Sequence, residues 1–252
     1  MIESVLKRDR VVVLAGLAGV TALAWAYLLV MAAGMAELSG ATGGAMLAVK
    51  PWTAVDFLLM FLMWAVMMVG MMVPSASPMI LLFALVSRRQ REQGAAFAPT
   101  GAFVAGYVVV WTGFSLAASA LQWALNQAAL LSSMMATISP TFGGLLLIAA
   151  GLYQWTPLKH ACLKHCRSPL QFITTHWRKG TRGAFRMGLE HGVFCVGCCW
   201  VLMGLLFVGG VMNLLWIAAI AGFVLLEKTL PIGGRASGLL LTLGGLFAIL
   251  QA

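Results

Sequence analysis

The chain has 252 residues, of which 62% are hydrophobic and only 9% charged, a balance that excludes an ordinary water-soluble domain. Several apolar runs reach the roughly 20 residues needed to cross a bilayer, and they lack the two-residue alternation of a transmembrane barrel. The reading is all-α, a polytopic transmembrane helix bundle, and the net charge of +9 is explained by topology without a nucleic-acid partner.

Lys7, Arg8 and Arg10 precede the first apolar run, at about 11–34. This run is longer than the roughly 7–15 residues of a signal-peptide core and no small-residue cleavage site follows it, so it reads as a retained span. The second run, 54–86, is too long for one straight span, because Asp56 to Arg88 as a helix would extend roughly 50 Å at 1.5 Å per residue. Pro74-Ser75-Ala76-Ser77-Pro78 lies near its middle, and proline removes ladder hydrogen bonds, so an internal break is expected there. Further spans are expected at 101–123, 140–157, 191–211, 213–230 and 236–251, about seven in all. The third, sixth and seventh are rich in Gly, Ala and Ser, which suits close helix packing.

Alternate connections then collect Lys7, Arg8 and Arg10; Arg88, Arg89 and Arg91; the basic run from Lys159 to Arg186; and Lys228 with Arg235. Only Lys50 falls opposite. The positive-inside rule makes the basic side the cytoplasm and places the N-terminus there. Residues 1–252 thus read as a single integral membrane domain of a bacterial inner membrane, multi-pass, with a basic cytoplasmic loop at about 158–190.

All five cysteines and all four histidines lie between residues 160 and 199, and such grouping is a sign of metal sites. His191, Cys195, Cys198 and Cys199 are spaced to share one face of a helix. Cys162 and Cys166 are also one turn apart and sit at the same end of the bundle. Thiolates and imidazoles select soft or borderline ions, so copper(I) or zinc is expected rather than magnesium or calcium. Lys159, Lys164, Arg167 and Arg186 would favour deprotonated thiols. Met60, Met63, Met67, Met68, Met71 and Met72 add thioethers at helical spacing; the stripe also suits packing, but as ligands thioethers favour copper(I) over zinc. The expected metal ligands are Cys162, Cys166, His191, Cys195, Cys198 and Cys199, with Cys195, Cys199, Cys162 and Cys166 as the core and His176 outside it. Glu227 and Lys228 read either as an interfacial pair or, for Glu227, as an acceptor orienting His191.

The run Tyr153-Gln154-Trp155-Thr156-Pro157-Leu158-Lys159, followed by Cys162 to Pro169, resembles a bacterial family of unknown function whose members are described as predicted metal-binding integral membrane proteins. His191 to Trp200, Met203, Met212-Asn213-Leu214, Glu227-Lys228, and Met67-Met68 through Pro74 to Pro78-Met79 carry the same resemblance. It implies a polytopic fold and a metal site with these cysteines as ligands. The function expected is metal handling at a cytoplasmic-side cluster, for transport or delivery to a metal-accepting or membrane-complex partner. No catalytic residue is assigned on this reading. The alternatives are a thiol-quinone oxidoreductase using Cys195 and Cys198, and a structural accessory subunit of a larger membrane complex. No ATP-binding P-loop is present, so the sequence carries no ATP-driven pump of its own.

Overall fold

The computed structural model describes residues 2–41, 52–94, 96–128, 130–131, 139–230 and 234–251. Lys50 lies outside them. The described chain is all-helical: α1 (Ile2–Ala41), α2 (Ala54–Glu92), α3 (Thr100–Gln127), α4 (Pro140–Tyr153), α5 (Pro157–Arg167), α6 (Pro169–His176), α7 (Gly180–Gly204), α8 (Leu206–Gly209), α9 (Leu214–Thr229) and α10 (Gly234–Leu250). Among the described residues, four stretches are long and apolar enough to cross a membrane, namely Arg10–Gly34 in α1, all of α2, all of α3, and Gly180–Gly209. The remaining apolar helices are shorter, with 14 residues in α4, 16 in α9 and 17 in α10. At 1.5 Å per residue they reach roughly 21–26 Å, somewhat less than the hydrocarbon thickness.

The expected break in α2 does not occur. The helix starts at a Thr53–Asp56 capping box and runs through Pro74 and Pro78 as one 39-residue element. Each proline frees a carbonyl four residues earlier. The Gly70 carbonyl, freed by Pro74, accepts from the Trp25 indole at 3.3 Å. Beside it, the Met72 carbonyl accepts from the Tyr107 hydroxyl at 3.1 Å and from Ser75 Oγ at 2.8 Å. A side chain of another helix thus serves the carbonyl that Pro74 frees, and the helix continues without a loop.

The segment expected as a basic loop is mostly helical as well. Pro157 cannot extend α4, so the chain ends that helix at Tyr153 and restarts as α5 under a Thr156 cap;. α6 follows, and Gly180, at φ 74°, opens α7 well before the apolar stretch that signalled it.

Small residues set the helix contacts. α3 lies so close to α7 that a Cβ on Gly106 would collide with the Phe185 carbonyl, and one on Gly188 with the Phe103 carbonyl. α4 and α10 pair in the same way: a Cβ on Gly144 would stand 2.7 Å from the Gly245 carbonyl oxygen, and one on Gly151 2.7 Å from that of Gly238. Small residues at such contacts let two helix backbones approach closely. The core between α2, α3 and α7 holds Trp64, Phe83, Phe103, Tyr107 and Trp111 together with the methionines of α2 and the cysteines of α7.

Candidate metal centre

The α7 residues His191, Cys195, Cys198 and Cys199 are all buried, at 2%, 0%, 1% and 0% exposure. The face inferred from their spacing therefore points into the protein. α5 brings the other two cysteines against it. Gly197 makes that approach feasible, since a Cβ there would be 2.7 Å from Cys162 Sγ. Tyr153, at the end of α4, donates to the Gly197 carbonyl and fixes the same stretch of α7 from another side.

Cys166 Sγ lies 3.9 Å from Cys198 Sγ. All five cysteines are free, and 3.9 Å is far beyond the roughly 2.05 Å of a disulfide. Two thiolates sharing one ion at about 2.3 Å each would stand roughly 3.8 Å apart at a tetrahedral angle and 4.6 Å apart in line. The Cys166–Cys198 separation lies inside that interval. Cys198 and Cys199 both direct their sulfurs at the Cys195 carbonyl, at 3.1 and 3.0 Å.

Cys195 has a different environment. Its sulfur accepts from Lys228 Nζ at 2.9 Å and contacts the Tyr107 hydroxyl at 3.1 Å. Lys228, buried at the end of α9, also donates to Ser75 Oγ at 2.9 Å. A cation that contacts a thiol directly is thus Lys228, which was not among those expected. Lys159 is held by Glu227 at 2.8 Å, Arg167 donates to the Glu227 and Leu230 carbonyls, and Arg186 pairs with Glu190. Glu227 accordingly anchors α5 to α9 rather than orienting His191. A buried lysine in an apolar bundle is a functional pointer in sequence, but its pairing with Cys195 depends on how α9 crosses α7. Tyr107 and Ser75 gave no sequence signal.

His191 lies among aromatic rings, with centroids of Tyr107 at 5.7 Å and Phe172 at 5.4 Å. Its Nδ1 has no hydrogen-bond partner among the described residues. His165 stacks on Phe194 at 4.1 Å and has His176 at 6.0 Å. Burial, with His176 and Lys164 adding to it, lowers the His165 pKa and favours the neutral ring. On α5, burial raises the Cys162 thiol above its ordinary range, and the neighbouring Cys198 adds to the effect. Met67, Met68, Met71 and Met72 are buried at 0–1% exposure and belong to the same core cluster as Cys195, Cys198 and Cys199. Among the described residues, no three His, Cys, Asp or Glu side chains are arranged to enclose an ion. The closest approach is a pair of thiols, with further sulfur close by.

No curated protein and no solved structure matches the chain. Residues 61–250 match the family PpoB2, described as a copper chaperone, over a stretch that takes in the methionines of α2 from Met63 onward and every cysteine and histidine. A match covering most of the chain gives its affiliation: the protein belongs to the PpoB2 copper chaperone family.

Proposed function

We propose that the protein is a multi-pass protein of the bacterial inner membrane that accepts copper(I) between α5 and α7 and passes it to a copper-accepting partner. The observation that carries this reading is the 3.9 Å separation of Cys166 and Cys198. Thiolates on two different helices at that distance can share a soft ion, and two or three sulfurs satisfy copper(I), whereas zinc usually takes four ligands. Cys195 and Cys199 are the next sulfurs available. Cys162, at the more exposed edge, is a relay thiol by which the ion arrives or leaves. His191, enclosed by rings, supports the wall of the site and is the reserve ligand. The methionines of α2 offer weaker sulfur contacts along the buried side. A site with few strong ligands suits a chaperone, which must release its cargo.

Seven spans with a cytoplasmic N-terminus fit this proposal. α4, α9 and α10 then cross a thinned or locally distorted bilayer, an accommodation available to short spans. The glycine contacts between α4 and α10 support their pairing as a membrane hairpin. The whole chain acts as one membrane domain, with the α5–α6 segment and the start of α7 at the cytoplasmic surface.

The test is copper(I) loading of reduced, purified protein, read by metal content and X-ray absorption. Wild type should bind copper with sulfur neighbours, and the Cys166→Ser, Cys198→Ser double variant should lose most of it. Unchanged loading in the double variant, or a copper shell made only of nitrogen and oxygen, would overturn the proposal.

A further inference from the structure

Away from the thiols, a cavity of about 1200 Å³ opens between the start of α1, the second half of α2 and the segment leading into α3. It exceeds the roughly 300–1,000 Å³ of ordinary small-molecule pockets. Its walls are apolar over most of their length, formed by Val12 and Val13 of α1 and by Pro78, Leu81, Leu82 and Leu85 of α2. One end is different. Arg10 is the first lining residue of α1 and Arg88, Arg91 and Glu92 are the last of α2, so the basic residues come at the ends of the two lining stretches with a single carboxylate, Glu92.

Length relates this shape to the bilayer. From Ser77 to Arg91 the lining runs along α2 for about 21 Å at 1.5 Å per residue, and one leaflet including its headgroups is about 20–22 Å deep. The arginines therefore come to headgroup level when the apolar walls face the acyl region. The charged end is also well formed. Arg91 is placed over the Phe97 ring at 5.0 Å, and Arg88 and Glu92 pair at 3.4 Å on consecutive turns. Guanidinium groups match phosphate oxygens in planar, paired geometry, and basic pockets between membrane helices bind anionic headgroups. The geometry points to a bound anionic phospholipid of the surrounding bilayer, with its phosphate at Arg10, Arg88 and Arg91 and an acyl chain along the α1–α2 cleft. The ligand bridges α1 to α2 and so braces the helix that carries the buried methionines.

Native mass spectrometry of the full chain, exchanged into micelles containing equal phosphatidylglycerol and phosphatidylcholine, tests the assignment on wild type. Wild type should retain phosphatidylglycerol with a preference on the order of tenfold or more, from the favourable interaction of each basic residue with anionic lipid. Equal retention of the two lipids would overturn it. The Arg10→Gln, Arg88→Gln, Arg91→Gln variant should lose that preference, whereas Arg182→Gln, an exposed arginine outside the cavity, should keep it. Leu85→Trp, which fills the cleft and leaves the arginines in place, should reduce retention of phosphatidylglycerol as well. Preference surviving in both the triple variant and Leu85→Trp would show that the lipid binds elsewhere and refute the site.

Discussion

Gly197→Ala is the smallest change that should disable the proposed thiol site without touching a sulfur. Its new Cβ would stand 2.7 Å from Cys162 Sγ and 3.5 Å from Cys162 Cβ. Non-bonded heavy atoms rest at roughly 3.5–4.0 Å, so α5 must retreat by about 1 Å or Cys162 must leave its rotamer. The Cys166–Cys198 separation is 3.9 Å, and two metal–thiolate bonds of about 2.3 Å can span at most about 4.6 Å. A retreat of about 1 Å uses more than that slack and breaks one bond. Overpacking costs roughly 1–3 kcal/mol, which corresponds to a loss in copper(I) affinity of roughly 5- to 150-fold. Competition against a chromophoric copper(I) chelator measures the affinity, with circular dichroism to check that helix content is retained. Adding Cys162→Ala removes the sulfur in the way and should restore most of the affinity. Wild-type affinity in Gly197→Ala would refute the argument that this glycine seats α5. Failed rescue, with Cys162→Ala itself weak, would instead make Cys162 a ligand.

Replacing Met67, Met68, Met71 and Met72 together by leucine keeps a similar volume, at a cost usually below about 1.5 kcal/mol per swap, and removes the thioethers; copper uptake in cells should fall while the protein level in membranes holds, and unchanged uptake would return these residues to packing alone. A membrane-impermeant maleimide applied to intact cells should label none of the five cysteines, and rapid labelling of Cys162 would reverse the proposed orientation. Because the Cys162 pKa is raised by burial and by Cys198, its thiol keeps its proton to higher pH than free cysteine. Its alkylation by iodoacetamide should therefore be slower near pH 8 and reach its midpoint at higher pH, and a midpoint at or below that of free cysteine would contradict the described environment.

Sequence alone determined the all-helical class and pointed to an apolar solvent and a soft-metal chemistry. Long uncharged runs require helices, because backbone groups in lipid must be paired within their own segment. The offsets between His191, Cys195, Cys198 and Cys199 determined that these side chains share a face, since helical period is a local property. The prolines of α2 were legible as missing hydrogen bonds, but their outcome was not: Trp25 comes from another helix to serve the Gly70 carbonyl that Pro74 frees, and the helix continues. The same limit applied to charge. Lys159, Arg167 and Lys228 are all near the cluster in the chain or at its end of the bundle, and only the crossing of α9 over α7 decided that Lys228 reaches Cys195 while Lys159 takes Glu227. Which thiols meet was likewise decided by packing. Cys166 faces Cys198 because Gly197 admits α5 to the surface of α7, a contact between residues some thirty positions apart that local spacing cannot encode.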